Sequence, residues 1–318
     1  MWTKAIALGT VLAALVAAGC GGGVEPRSGI RHQQLSGRIQ ADGSSTVGPF
    51  TTLAAERFQA SNPGVRVTVG ISGTGGGFER FCAGETDLSD ASRPIEDEEQ
   101  AACDKNGVDH VEFQVANDAL TVVVNADNDW VDCLTIAELH KIWAPGSKVT
   151  NWSQVRTGFP DEPLELFGPG TDSGTFDYFT GEINGEEGAS RADYTASEDD
   201  NVLVRGVGGS KGGLGYFGFS YYEENQGELK APGIDGGKGC VDPSVETAQS
   251  GEYTPLSRPL FVYAKTESFA KPHVSAFVRF MLARAEELAK GAKFVPLTDA
   301  QLAKAKSDYN EALKQVGG

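Results

Sequence analysis

The segment VRVTVGISGTGGGF, residues 65–78, runs from a strand pattern through a glycine-rich turn into the start of a helix pattern. Apolar residues at every second position, from Val65 to Ile71, are typical of a strand with one buried face. The glycines that follow let the backbone approach a ligand closely. Backbone N–H groups at the start of a helix are unpaired, so this corner is suited to binding an anion.

Outward from this segment, strand and helix patterns alternate along the chain. Other β-rich runs lie at 111–115, 120–124, 164–167 and 260–263, and helix patterns lie at 47–60, 135–143, 173–183, 273–290 and 298–314. This alternation predicts α/β layers with mixed or parallel sheets. About 280 ordered residues exceed one comfortable core, so we expect two lobes with a ligand cleft between them.

The first 19 residues are typical of a signal peptide. Lys4 is followed by an apolar run at 5–18 that is too short to span a bilayer comfortably. Small residues precede Cys20 directly, which resembles a bacterial lipoprotein signal in which that cysteine is acylated. Residues 20–36 lack periodicity and are predicted to be a tether. We therefore expect an extracytoplasmic protein that is anchored to the cell membrane through lipid.

The charge balance restricts the class of partner. The chain has 27 Lys and Arg against 44 Asp and Glu, a formal net charge of −17. Such an acidic chain is not expected to bind nucleic acid. An anionic ligand would have to be held by a local field strong enough to overcome the mean one, and helix N-termini can provide that field.

Four clusters of Gly, Ser and Thr recur where strand patterns give way to helix patterns. They occupy residues 42–48, 72–78, 89–94 and 168–175. A single cluster would be explained by helix capping. Four of them, in a chain with no cofactor motif, no metal-ligand spacing and no catalytic triad pattern, predict a cage for an oxyanion and not an enzyme.

Five motifs give the chain a family resemblance. They are ADGSSTVGPF at 41–50, ISGTGGGF at 71–78, DLSDASRPI at 87–95, DSGTF at 172–176 and GGLGYF at 212–217. In this order they resemble the PstS family, the phosphate-binding component of the bacterial phosphate ABC transporter. The resemblance implies a type II periplasmic-binding-protein fold: two Rossmann-like α/β lobes, joined by two crossing strands, with the anion at their interface.

The resemblance also implies the division of the chain and its partners. Lobe I is expected at 37–117 and 258–318, and lobe II at 118–257. The expected protein is a monomer that passes inorganic phosphate to permease subunits. The contacts that carry over by motif are backbone and hydroxyl donors from Ser45, Thr46, Val47, Ser72, Ser173, Gly174 and Thr175.

Two family positions are not matched. Ser92, which we count among the predicted phosphate-binding residues, stands where the family has the aspartate that accepts the phosphate proton, and Pro169 stands where it has an arginine. We predict that Arg93 makes a forked contact to two phosphate oxygens, and that Asp172, or else Asp90, accepts the proton. The alternatives are that Arg93 pairs with a surface acid and that Asp172 caps a helix. A carboxylate acceptor would favour phosphate, because fully ionised sulfate has no proton to donate.

Four cysteines besides Cys20 predict two disulfides in an oxidising compartment. Three pairings are possible. We favour Cys82 with Cys103 and Cys133 with Cys240, because each pair then lies within one lobe.

Other function classes fit the sequence less well. The DSGT motif at 172–175 is similar to the catalytic loop of aspartic proteases, but those enzymes need a second such aspartate and the chain has none. The glycine run at 206–213 breaks the residue order of a nucleotide-binding phosphate loop. The remaining alternatives are a binding protein for another tetrahedral oxyanion, such as sulfate, and a phosphate sensor that is not coupled to transport.

Overall fold

The computed structural model describes residues 34–317. Strands and helices alternate over most of this length, as the sequence pattern predicts. The strands are β1 (Ser36–Gly43), β2 (Gly64–Val69), β3 (Leu88–Ala91), β4 (His110–Asn125), β5 (Cys133–Thr135), β6 (Glu165–Gly168), β7 (Thr195–Ala196), β8 (Gly213–Gly218), β9 (Leu229–Lys230), β10 (Gly233–Asp235), β11 (Cys240–Val241) and β12 (Ser257–Lys265).

Helices connect most of these strands, and several begin at a polar capping residue such as Thr135, Ser173 or Thr298. A short 3₁₀ helix covers Thr266–Ala270. The α-helices are α1 (Gly48–Ser61), α2 (Gly73–Cys82), α3 (Asp97–Asn106), α4 (Ile136–Trp143), α5 (Trp152–Val155), α6 (Gly174–Asn184), α7 (Asp200–Gly209), α8 (Phe219–Glu224), α9 (Val245–Ser250), α10 (Pro272–Ala283), α11 (Ala285–Gly291) and α12 (Asp299–Val316).

One long sheet runs through the molecule in the order β2-β1-β3-β12-β4-β8-β6-β7, with β9 also paired to β4. The pairs β1–β2, β1–β3, β6–β8 and β6–β7 are parallel, whereas β12 and β4 run antiparallel to their neighbours. A second sheet contains β11, β10 and β5. The sheet is therefore mixed, and its parallel parts place several strand-to-helix corners at the same edge.

Strand β4 passes from one half of the sheet to the other. Its first part, 110–119, pairs with β12, and its second part, 120–124, pairs with β8. Both β-rich runs of the sequence, 111–115 and 120–124, lie in this strand. The intervening residues, Ala116 to Ala119, are buried and stay extended, so the two apolar runs form one 16-residue strand.

Two large apolar clusters lie on the two parts of β4. One takes its buried residues from 39–116 and 260–312, and the other takes them from 120–256. Phe113 and Val115 of β4 belong to the first cluster, and Leu120 and Val122 belong to the second. The chain thus builds two separate cores, and β4 and β12 run between them.

Two further predictions have clear outcomes. The disulfides are Cys82–Cys103 and Cys133–Cys240, so the favoured pairing is confirmed. The helix predicted at 273–290 is divided into α10 and α11 at Arg284, whose backbone leaves the helical region at φ −119° and ψ 19°.

Among residues 34–317, no helix is both long and apolar enough to cross a membrane. The predicted signal peptide and Cys20 lie outside the described residues.

Candidate functional site

A polar cavity of about 540 Å³ lies where the two halves of the chain meet. Four of its walls are corners from the four sequence clusters, and a fifth comes from the end of the segment before β12 and the start of that strand. The residues that line it are Ser44, Ser45, Thr46, Ser72, Gly73, Thr74, Gly75, Gly76, Ser92, Arg93, Pro94, Gly174, Asp177, Tyr178, Gly181, Glu182, Glu187, Thr254, Pro255, Ser257, Arg258 and Pro259.

The first corner joins β1 to α1. The buried Ser44 hydroxyl accepts hydrogen bonds from the backbone N–H groups of Thr46 (3.2 Å) and Val47 (3.3 Å), which fixes the turn. Ser45 and Thr46, which the sequence analysis names as phosphate contacts, line the cavity. Val47 is fully buried in the apolar core and does not line the cavity, so its predicted contribution is limited to its backbone.

The second corner is the glycine-rich start of α2, which has no side-chain cap, and residues Gly73 to Gly76 of its first turn line the cavity. Gly77 lets α2 pack closely against the end of β1, because a Cβ at this position would lie 2.5 Å from the Cα of Gly43. The Ser72 hydroxyl donates to Asp42 Oδ1 (2.8 Å), and the Ser72 N–H donates to the same oxygen (3.1 Å). Ser72 therefore joins the first two corners, and its only hydroxyl proton is already engaged.

The third corner contains Ser92 and Arg93. The hydroxyls of Ser92 and Thr74 lie 3.0 Å apart, which links this corner to α2. Both terminal nitrogens of Arg93 donate to the Glu99 carboxylate at 2.8 Å, and its Nε lies 3.1 Å from Glu96. Hydrogen bonding to Glu99 raises the pKa of Arg93. Arg93 lines the cavity, but its two terminal guanidinium nitrogens already bind the Glu99 carboxylate. We therefore do not assign to Arg93 the contact to two phosphate oxygens that the sequence suggested.

The fourth corner is the start of α6, where Ser173 caps the helix by accepting from the Thr175 N–H at 3.2 Å. Gly174 lies against the first corner, since a Cβ at this position would be 2.7 Å from Thr46 Oγ1. Asp172 precedes the cap, is exposed and does not line the cavity. The structure therefore does not place Asp172 where it could accept a ligand proton.

Arg258, at the start of β12, is a cavity residue that sequence reasoning missed. Its Nη2 donates to Thr46 Oγ1 at 2.9 Å, and its Nε donates to the buried Asp118 carboxylate at 3.3 Å. Its guanidinium carbon lies 3.6 Å from the centre of the Tyr178 ring, which supports the flat face of the group. The available sequence signal was a lone arginine at the entry to the buried run Leu260 to Ala264.

Three carboxylates near the site differ in what they can do. Asp118 is buried against Arg258; burial raises its pKa, and the arginine opposes that shift. Asp90 is fully buried, does not line the cavity and accepts from the Thr51 hydroxyl at 2.8 Å; burial raises its pKa to about 7. Asp177 lines the cavity one turn into α6, and burial together with Glu187 raises its pKa, while Arg258 lowers it. Of these three carboxylates, only Asp177 can meet a ligand in the cavity.

Comparison with known proteins agrees with this architecture. A family model described as a PBP superfamily domain matches residues 30–285. The chain therefore belongs to the periplasmic-binding-protein superfamily, and the predicted fold class is confirmed.

Its more similar relatives define the family within that class. Protein SphX of Synechococcus elongatus is 52% identical over 262 residues, which cover 81% of this chain and 77% of SphX. The phosphate-binding protein PstS of Staphylococcus saprophyticus is 39% identical over 302 residues, covering 94% of this chain and 89% of PstS. A crystal structure of a possible phosphate binding protein from Planctomyces limnophilus superposes with a TM-score of 0.85 at 50% identity, covering 88% of this chain and 99% of that one. The chain belongs to the PstS family, as its motifs predicted.

Proposed function

We propose that this protein is an extracytoplasmic solute-binding protein that captures inorganic phosphate and delivers it to an ABC transporter. One observation carries the proposal: hydroxyl groups, two helix N-termini and Arg258 converge on one cavity between two cores. The names of PstS and of the Planctomyces limnophilus protein refer to phosphate binding, which supports the same ligand.

The donors suit a tetrahedral oxyanion. Ser45 and Thr46 face the cavity from the first corner, the open first turn of α2 faces it from the second, and Gly174 at the start of α6 faces it from the other half. Helix N-termini carry partial positive charge and free N–H groups, so they can hold an anion without a cationic side chain or a bound cation. Arg258 adds a full positive charge, and its N–H groups can form charge-assisted hydrogen bonds to phosphate oxygens.

We assign to Asp177 the proton-accepting role that the sequence suggested for Asp172 or Asp90. Asp177 lies on α6 one turn beyond Gly174, so a ligand bound at the helix start is close to its carboxylate. Phosphate near neutral pH keeps a proton that can be donated to this carboxylate, whereas sulfate would meet only repulsion.

Binding should also hold the two halves together. We propose that lobe I comprises 37–117 and 258–318, that lobe II comprises 118–257, and that the ligand bridges them. The contact between Gly174 and Thr46 supports this division, because it brings the two predicted lobes together at the cavity. A ligand that touches both lobes favours the closed form, which permease subunits would then recognise.

The mature protein is further proposed to be a monomer that is acylated at Cys20 and tethered by residues 20–36. The lipoprotein-like pattern before Cys20 supports this anchoring. Mass spectrometry of the protein from membranes of an expressing bacterium should find a diacylglyceryl group on Cys20, and an unmodified or differently cleaved N-terminus would contradict it.

Competition calorimetry tests the ligand assignment. Titrations with phosphate and sulfate between pH 6 and 8 should show phosphate binding at least roughly a hundredfold tighter, because a desolvated carboxylate facing sulfate is an unpaired repulsive contact. The Asp177→Asn variant should lower the ratio of phosphate affinity to sulfate affinity, whereas Asp172→Asn should leave that ratio unchanged. Equal affinity for both anions in the unmodified protein, or no anion binding at all, would reject the proposed ligand.

A further inference from the structure

The cavity has an acidic wall that extends beyond the proposed phosphate site. Helix α6 presents Gly174, Asp177, Tyr178, Gly181 and Glu182 to the cavity, which is the spacing of a single helix face. Gly174 lies at the fourth corner, and Glu182 lies about two turns further along α6. The cavity is also larger than orthophosphate requires, since that ion has only five non-hydrogen atoms and the volume is about 540 Å³.

Glu187 extends the wall from the loop that follows α6. A Cβ at Gly181 would lie 3.3 Å from Glu187 Cγ, so the missing side chain at Gly181 gives Glu187 room to lie along the helix face. Glu187 and Asp177 both line the cavity, and the charge of Glu187 raises the pKa of Asp177. Asp177, Glu182 and Glu187 will be called the acidic face.

Within residues 34–317, no arginine, lysine or histidine forms an ion pair with any member of the acidic face. Of the two arginines that line the cavity, Arg93 pairs with Glu99 and Glu96, whereas Arg258 pairs with Asp118 and contacts Thr46 at the first corner. The same residues contain no cluster of three or more acids, histidines or cysteines that could hold a metal ion. Among the described residues, this part of the cavity wall therefore carries three carboxylates that have no ion-pair partner, although the charge of Arg258 lowers the pKa of Asp177 and Glu182.

We propose that the acidic face is a charge filter, which admits orthophosphate but rejects phosphate compounds that carry further negative charge, such as pyrophosphate. This inference rests on the proposed phosphate site and adds the class of compound that the site refuses. A phosphoryl group bound at the fourth corner would leave its substituent pointing along α6. A second phosphoryl group would then lie against Glu182 and Glu187, and each like-charge contact weakens binding.

The test compares orthophosphate and pyrophosphate in the full chain and in the double variant Glu182→Gln/Glu187→Gln. Asp177 is left intact, because it belongs to the proposed phosphate site. Titrations at low salt should show pyrophosphate affinity rising roughly tenfold and orthophosphate affinity rising only about threefold or less, because the repulsion scales with ligand charge. In high salt the gain should largely disappear, because mobile ions screen charges at the cavity mouth.

The matched control is Glu186→Gln/Glu246→Gln, which removes the same total charge from exposed acids outside the cavity. It should leave both affinities within about twofold at low salt. Equal gains for the two ligands, a gain that persists in high salt, no gain at all, or the same gain in the control would each overturn the filter. The orthophosphate titration of the unmodified protein tests the phosphate site itself, so failure of the site and failure of the filter are distinguishable.

Discussion

Replacement of Arg258 is the sharpest test of the site. The side chain of Arg258 connects three elements at the cavity: it donates to Thr46 at the first corner, pairs with Asp118 on β4 and stacks on Tyr178 of α6. A simple Arg258→Gln change would leave the Asp118 carboxylate buried without its partner, which can cost about 3–5 kcal/mol of stability. We therefore combine it with Asp118→Asn, so that the buried pair is replaced by two neutral amides.

The size of the expected effect follows from two overlapping contributions. A hydrogen bond to a charged group contributes about 1.5–3 kcal/mol. A unit positive charge about 4 Å from an anion contributes up to about 4 kcal/mol at an effective dielectric constant of 20. Since both describe the same contact, and since removal of the Asp118 charge offsets part of the second contribution, we expect a loss of about 2–3 kcal/mol, or roughly 30- to 150-fold in phosphate affinity.

The matched control is Arg93→Gln/Glu99→Gln, which neutralises another arginine–carboxylate pair at the same cavity. Because the Arg93 fork is occupied by Glu99, this variant should bind phosphate within about threefold of the unmodified protein. Calorimetry gives the affinities, and thermal unfolding without phosphate verifies that both variants fold. If Arg258→Gln/Asp118→Asn still binds phosphate within threefold, or the Arg93 pair proves to be the sensitive one, the assignment of the anion's charged partner is refuted.

Two further predictions concern the packing and titration of the corners. Gly174→Ala would place a methyl group 2.7 Å from Thr46 Oγ1, so it should separate the first and fourth corners and weaken phosphate binding by roughly tenfold. Gly185→Ala, at the other end of α6, should not change the phosphate affinity. Equal affinities for the two variants would show that the two corners need not touch. Burial raises the Asp90 pKa to about 7, so the folded state holds its proton more tightly than the unfolded chain does, and this contribution to stability is lost as pH rises from about 4 to 7. Asp90→Asn should remove up to about 4 kcal/mol of that pH dependence in denaturant unfolding, and parallel stability curves for the two proteins would contradict the shifted pKa.

An acidic protein can hold an anion because the decisive field is local. The net charge is −17, yet two helix N-termini, several hydroxyl groups and Arg258 line one cavity. Exposed charges further away act through water and salt, which screen them beyond about 10 Å at 0.1 M ionic strength. The mean charge therefore affects the rate of encounter and the tolerance for highly charged ligands more than the strength of the final contacts.

The sequence by itself determined the fold class and the position of the corners. Period-two and helical patterns are local properties of the chain, so the strand before Ser72 and the helices at 48–61, 174–184 and 299–316 could be predicted within a residue or two. Small residues at the ends of strands also marked the corners correctly, because only such residues allow the close approach that Gly77 and Gly174 make.

Only the tertiary structure decided which charged side chains serve the cavity. Arg258 and Thr46 are 212 positions apart, and nothing local to either one indicates their contact. Asp172 carries the right chemistry but stands before the Ser173 cap, where the chain has not yet turned into the helix, so it faces solvent, while Asp177 comes round to the cavity one turn later. The sequence shows the type of each side chain. The direction of a charged side chain and its partner depend on how distant segments pack, and a charge–charge contact requires both to be correct.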